Sequence, residues 1–340
     1  MRKNLRLLTA SLAALSLVAA ACGGDDDGGS SSGGDGIKAG IAFDTGGRGD
    51  GTFNDSAATG GEQAASELGA QITELEANVD EDRKANLELL ASDGNAVIVG
   101  VGFMFTDPMA EVAAANPDIT FGIVDSVVEA DNVKSLIFAE EQGSFLVGAA
   151  AALKSESGKI GFIGGQEIDL IKKFEAGYTA GAKYINPDIV VDVKYLGPAG
   201  DNSAWGNVAG AKEIAAGWYA AGTDVIYTAA GGSGAGTIEA AIEAGKWAIG
   251  VDSDQYLTAG TPEAQAVILT SMLKRVDVAV FETIKAVNDG DKTGGIKVFD
   301  LSNDGVGYST SGGYIDDFVE QLDEIKAKIV SGEITVPTAP

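Results

Sequence analysis

Four short apolar runs end in an aspartate: GIAFD at Asp44, FGIVD at Asp125, AIGVD at Asp252 and KVFD at Asp300. In open parallel sheets, ligands bind beyond the carboxyl ends of the strands, so acids there can accept hydrogen bonds from a hydroxyl or an amine. Aspartate also closes strands simply as a turn former or as the cap of the next helix. Several such acids, drawn from both halves of the chain, point to a shared cleft rich in acceptors. That cleft suits neutral hydroxylated or cationic ligands and repels phosphates, which prefer Arg, Lys and helix N-termini. Phe53 and Trp205 lie among Gly, Asn, Ser and Asp. Aromatics in such loops are either stacking platforms or the first core residues of the following helix.

The glycine patterns are weaker. GGSGAG, from Gly231 to Gly236, lies between a strand and a helix, and Asp252 follows at the offset of a ribose-binding acid in a dinucleotide fold. Thr237 occupies the place of the third glycine, so Gly231 and its neighbours read as a loop bringing backbone N–H groups near a ligand. No G-x-x-x-x-G-K-[ST] segment occurs. The RGD tripeptide at Arg48–Asp50 reads as loop chemistry.

Composition removes whole classes of function. The 340 residues contain no histidine and one cysteine, Cys22. Ser-His-Asp and Cys-His catalysis, histidine-ligated zinc and an intrachain disulfide are therefore excluded. The net charge of −27 gives no electrostatic basis for binding nucleic acid. No catalytic residue, metal ligand or cofactor is expected, and the chain is not read as an enzyme.

Residues 1–22 carry Arg2, Lys3 and Arg6, then an apolar stretch from Leu7 to about Val18, then Ala19, Ala20 and Ala21 before Cys22. This is the pattern of a secretory leader. Ala-Ala-Cys resembles a bacterial lipobox, which implies lipidation of Cys22 and a chain held on the extracytoplasmic face of the cell membrane. Residues 23–36, GGDDDGGSSSGGDG, contain no apolar side chain and read as a flexible tether.

From Ile37 onward, apolar strands alternate with amphipathic helices. Strands are expected at Gly40–Asp44, Gln71–Glu76, Asn95–Val101, Ile119–Asp125 and Val133–Ala139, with a long apolar helix at Ser144–Lys154. The alternation restarts at Lys159–Gly165 and continues through Ile189–Tyr195, Asp224–Thr228 and Trp247–Asp252. Asp80 reads as the cap of the helix reaching Leu90, a further helix is expected over Leu273–Val287, and late strands are expected at Ala264–Thr270 and Ile296–Leu301. The fold class is α/β, with two lobes of parallel sheet covered by helices. The first lobe is expected to hold residues 37–155 plus about 272–295, and the second 156–271 plus about 296–335.

FDTGGRGDGTFNDSAATG (Phe43–Gly60) resembles the opening motif of the basic membrane lipoprotein (Bmp) family, the purine-nucleoside-receptor-like binding proteins of ABC importers. FAEEQGSFLVGAAAAL (Phe138–Leu153), IGFIGG, FEAGYTAGAKYINPDI, GTDVIYTAAGGSGAG, WAIGVDSDQ and LTSMLKRVD follow in the family's order. The resemblance covers about Ile37 to Ala286. It implies a type I periplasmic-binding-protein fold, two Rossmann-like lobes joined by a multi-strand hinge, with a ligand enclosed between them. It also implies a nucleoside ligand, most closely a purine nucleoside, and an ABC permease and ATPase as partners. By the same resemblance Phe53 stacks on a base, Asn54 and Asp125 read its edge beside Asp44, Asp252 accepts from ribose hydroxyls, and Lys274 donates to the sugar. The family's second stacking phenylalanine is Trp205 here, within AWGNVAGAKEIA (Ala204–Ala215), and Asn207 stands where the family has aspartate. This departure leaves the base preference open. A lone basic residue among several acids favours a nucleoside over a nucleotide.

Two further readings stand beside this one. The same fold can take a riboflavin-like ring, another aromatic metabolite or a sugar. It can also serve as a surface sensor with no transport role.

Overall fold

A computed structural model describes residues 36–340. The leader, Cys22 and the tether as far as Asp35 lie outside the described residues. Strand and helix alternate through β1 (Lys38–Phe43), α1 (Phe53–Leu68), β2 (Gln71–Glu76), α2 (Asp80–Ser92), β3 (Val97–Val101), α3 (Thr106–Ala115), β4 (Thr120–Val124) and β5 (Val133–Phe138). The alternation resumes through α4 (Glu140–Lys154), β6 (Lys159–Glu167), α5 (Asp169–Ile185), β7 (Val190–Pro198), α6 (Val208–Ala220), β8 (Val225–Ala229), α7 (Gly234–Ala244) and β9 (Trp247–Asp252). Short helices α8 (Gln255–Thr258) and α9 (Pro262–Gln265) lead to β10 (Ile268–Lys274). The chain then forms α10 (Val276–Asn288), β11 (Gly295–Phe299), β12 (Val306–Tyr308) and α11 (Val319–Val330).

The strands make two six-stranded sheets, ordered β11-β5-β4-β3-β1-β2 and β12-β10-β9-β8-β6-β7. Every pairing is parallel except β10 with β12. The shared core order, second-first-third-fourth-fifth, is that of a doubly wound sheet, which places its ligand crevice at the carboxyl ends near the first and third strands. The central strands VIVGV (β3), TFGIV (β4) and VIYTA (β8) are buried along their whole length, as two-sided cover requires.

Three segments pass between the lobes, and their placement corrects the expected boundaries. The first passage is at Ala139, so α4 packs on α5 and on the second sheet rather than closing the first lobe. Glycines set that helix pairing: a Cβ on Gly181 would sit 1.9 Å from the Phe145 carbonyl oxygen, and one on Gly148 2.1 Å from that of Tyr178. The second passage is at Arg275. Residues 273 and 274 are therefore the end of β10, not the start of a helix, and the helix begins at Val276. The third lies between β11 and β12. β11 pairs with β5 in the first sheet, although residues from 296 were expected in the second lobe. The passages are bonded to one another: Ala139 N–H donates to Phe299 O at 2.9 Å, and Arg275 N–H to Gly305 O at 2.9 Å. Phe138 and Phe299 stack with centroids 4.9 Å apart.

Candidate functional site

The carboxyl ends of the two sheets face one cleft. Asp44, Phe53, Asn54, Asp125, Trp205, Gly231, Asp252 and Lys274 all line it. Asp300 is not among the lining residues. It caps the turn Leu301–Asn303, accepting from Ser302 N–H at 2.8 Å. Asn207 likewise serves locally, capping α6 through Gly210 N–H at 2.9 Å.

The loop between β1 and α1 is built by Asp50, the aspartate of the RGD tripeptide. Asp50 accepts from the N–H groups of Thr52, Asn54 and Asp55 at 2.9, 2.9 and 3.2 Å, and from Asn54 Nδ2 at 3.0 Å. It satisfies the open N-terminus of α1 and so fixes Phe53 and Asn54 at the cleft wall. Gly49 and Gly51, at φ +91° and +67°, turn their N–H groups to Asp55 at 2.8 Å each. The aspartate of the RGD tripeptide is thus structural, and Arg48 pairs with Glu62 at 2.6 Å.

The floor is an ion cluster. Lys274 is 2% exposed, and its Nζ lies 2.6 Å from Asp125 Oδ2 and 3.2 Å from Glu140 Oε1. The same ammonium stands 5.0, 5.1 and 5.6 Å from the ring centroids of Phe138, Phe53 and Phe174. Burial opposes its charge, but Asp125, Glu140 and Asp252 outweigh that and hold its pKa above the usual lysine range. Burial pushes Asp125 up to about 6 against the pull of Lys274, and Asp252 up to about 7. Lys173 Nζ adds a second cation 3.2 Å from Glu140.

At the other end of the cleft, Asp44 is paired with the buried Arg83. Oδ1 takes Nε at 2.8 Å, Nη2 at 2.6 Å and the Thr45 N–H at 2.7 Å. Burial raises the Asp44 pKa, and Arg83 limits the rise. On the second lobe, the indole of Trp205 lies over Gly165, where a Cβ would come within 2.3 Å of Cζ3.

Four buried polar atoms on residues lining the cleft have no partner among the described residues: Asp44 Oδ2, Asn54 Oδ1, Asp125 Oδ1 and Trp205 Nε1. Three are acceptors and one is a donor, so a complementary ligand carries mainly N–H and O–H groups. No group of three or more His, Cys, Asp or Glu side chains is arranged around a metal position among the described residues. The lobes are in contact across the rim: Ser253 Oγ donates to Thr52 O at 2.8 Å, and Asn202 Nδ2 to Asp80 Oδ1 at 3.1 Å.

Sequence reasoning missed Arg83, Glu140 and Phe174. Glu140 and Phe174 lie within segments that carry the family resemblance, FAEEQGSF and FEAGYTAG, which is the signal that marks them. Arg83 stands in DEDRKANLELL, which reads as a solvated helix. Asp80, expected to cap that helix, spends its carboxylate on Arg83 and Asn202, and Asp82 accepts from Asn78 and Val79 N–H instead.

No described helix is long and apolar enough to cross a membrane. Over 322 residues the chain is 37% identical to the ABC transporter nucleoside-binding protein BmpA of Lactococcus lactis subsp. cremoris, covering 89% of each. It is 37% identical over 316 residues to the CD4+ T-cell-stimulating antigen of Listeria monocytogenes serovar 1/2a, covering 87% of each. Among solved structures, an ABC transporter system solute-binding protein of Aeropyrum pernix K1 superposes with a TM-score of 0.75 at 29% identity, over 89% of this chain and 93% of that one. The family described as ABC transporter substrate-binding protein PnrA-like (Bmp) matches residues 37–339. With its two doubly wound sheets around one acceptor-lined cleft, the chain belongs to that family of substrate-binding proteins.

Proposed function

We propose that this substrate-binding protein captures a purine nucleoside between its lobes and presents it to the permease and ATPase of an ABC importer. The observation that carries the reading is the meeting of Phe53 from the first lobe and Trp205 from the second in a cleft whose free polar atoms are mostly acceptors. Two rings offer a base a slot without a hydrogen-bond code, and selectivity then comes from its edge. Asn54, Asp125 and Asp44 read N–H groups on that edge. Asp252 accepts from the sugar hydroxyls, with Lys274 beside it to donate and to limit the cost of burying the carboxylates. Gly231 presents its backbone at the mouth of α7. The resemblance to the nucleoside-binding protein of Lactococcus supports the same ligand class. The chain binds and releases its ligand without chemistry.

The leader and Ala-Ala-Cys support anchoring through a lipidated Cys22 on the extracytoplasmic face. Mass spectrometry of the mature chain tests this. A diacylglyceryl-modified Cys22 at the N-terminus is expected, and an unmodified cysteine contradicts it. The ligand is tested by calorimetry on refolded protein with adenosine, guanosine, inosine, cytidine, uridine, riboflavin and ribose. Tight binding confined to purine nucleosides is expected, and binding of riboflavin or ribose alone contradicts it.

A further inference from the structure

We propose that Arg83 couples ligand contact at Asp44 to closure of the cleft, through Asp80 and Asn202. The proposal rests on reading the cleft as the ligand site, not on which ligand fills it.

A continuous series of hydrogen bonds runs from the cleft wall of the first lobe into the second. Asp44 lines the cleft, and its Oδ1 is consumed by Arg83 and Thr45 while Oδ2 stays buried and unpartnered. The Arg83 side chain is 4% exposed. Nε and Nη2 hold Asp44, and Nη1 turns outward to Asp80 Oδ1 at 2.7 Å. That same oxygen accepts from Asn202 Nδ2, across the lobe boundary, at 3.1 Å. Asn202 Oδ1 accepts from Gln166 Nε2 at 3.0 Å, and the buried Gln166 takes Gly200 N–H at 2.9 Å. Asn202 opens the four-residue turn Asn202–Trp205, so the series ends on the segment that carries the stacking indole.

The chemistry explains why an arginine is needed. Only a planar guanidinium can hold one carboxylate with Nε and Nη2 while its remaining nitrogen reaches a second. The Asp80 side chain is 76% exposed, so on its own it would turn freely in water. Held by Arg83, it is fixed toward Asn202, and the cross-lobe bond forms with little further loss of freedom. A ligand N–H or O–H on Asp44 Oδ2 fixes the carboxylate in the orientation in which Oδ1 meets Arg83, so the guanidinium is held in place and less freedom is lost when the clasp forms. Linkage makes the effect reciprocal: whatever the clasp adds to ligand affinity, the ligand adds to the clasp. The Ser253–Thr52 bond at 2.8 Å closes a separate point of the rim and has no such connection to Asp44.

The test uses Asp80→Ala, Asn202→Ala and the double variant, with Arg83→Lys as a fourth. Guanosine release is followed by stopped-flow fluorescence, and lobe separation by small-angle scattering with and without guanosine. Each single variant is expected to release guanosine about fivefold faster, the worth of one ordinary hydrogen bond, with the association rate unchanged. The double variant is expected to match the singles, because both remove one clasp. Arg83→Lys is expected to release faster as well, although its charge is kept. Unchanged release, or effects that multiply in the double variant, would overturn the proposal. If wild-type protein binds none of guanosine, adenosine and inosine, the nucleoside reading falls, and the free protein then decides the clasp. A larger radius of gyration in the variants supports it, and an unchanged one overturns it.

Discussion

Asp125 and Asp252 occupy corresponding positions in the two sheets and share an uncommon backbone. Asp125 follows β4 and Asp252 ends β9, each the fourth strand of its lobe, and their φ angles are +65° and +64°. Among the described residues only Asp304 is another non-glycine in that region. Aspartate tolerates it better than most residues because its short polar side chain bonds locally. The left-handed turn places both carboxylates at the cleft, and Lys274, the last residue of β10, reaches Asp125 across the lobes.

This pair makes binding depend on pH. Burial holds Asp252 up at about 7, with Asp125, Asp50 and Glu140 adding to the rise and Lys274 opposing it. Sugar hydroxyls donate best to the ionised form, so binding below that value must expel a proton. Nucleoside affinity is expected to fall about tenfold from about pH 8 to about pH 6. Calorimetry in two buffers of different ionisation enthalpy reads the proton release directly. Stability of the free protein runs the other way. Asp252 and Asp125 keep protons that the unfolded chain has lost between about pH 4 and about pH 7, so their contribution falls across that window and is level above it. Denaturant midpoints across the same range check the sign, and an Asp252→Asn variant should flatten the slope.

Removing the ammonium exposes its role. Lys274→Met leaves Asp125, Glu140 and Asp252 buried together with Lys173 beside Glu140 alone. Breaking a buried pair from one side costs about 3–5 kcal/mol. The variant is expected to lose that order of stability at neutral pH and to regain part of it near pH 5, where the acids take up protons. Equal losses at both values would mean that Lys274 acts by packing alone.

Trp205 depends on an absence. Gly165→Ala would put a methyl group 2.3 Å from Cζ3 of the indole, so the ring must move. Overpacking of this kind costs about 1–3 kcal/mol. Guanosine affinity is expected to fall in that variant and to recover in the Gly165→Ala, Trp205→Phe double variant, where the smaller ring leaves room. Titration of both variants decides it, and no recovery would place the effect in β6.

The glycines between α4 and α5 give a prediction about stability alone. Gly181→Ala would drive a methyl group within 1.9 Å of a backbone oxygen on α4, which cannot swing aside as a side chain can. A loss of about 1–3 kcal/mol is expected in thermal or denaturant unfolding. The cleft residues sit elsewhere, so affinity of the folded fraction should hold.

Much of this was legible from residue order. The apolar runs ending at Asp44, Asp125 and Asp252 marked strand ends because a strand buried on both faces must read as continuous apolar sequence. The motif match drew seven of the eight candidate residues toward one cleft and the glycine-rich loop added Gly231, and all eight line it. Sequence alone merges Lys274 into a helix, because β10 and α10 are separated by Arg275 alone and their apolar residues run into one helical pattern. The lobe of β11 is not legible in sequence, because an exposed edge strand carries no sign that its partner is β5. Arg83 was invisible for a different reason. Its burial depends on Asp44, 39 residues earlier, and nothing in the surrounding charges of α2 separates it from a solvated arginine.

The most direct measurement is calorimetric titration of guanosine, adenosine and inosine into refolded wild-type protein, Phe53→Ala and Asp252→Asn. One nucleoside per chain is expected for the wild type. The stacking loss should weaken binding by about 1–3 kcal/mol, and the lost charged acceptor by about 1.5–3 kcal/mol. Failure of every purine nucleoside to bind, or binding that ignores both substitutions, would contradict the account.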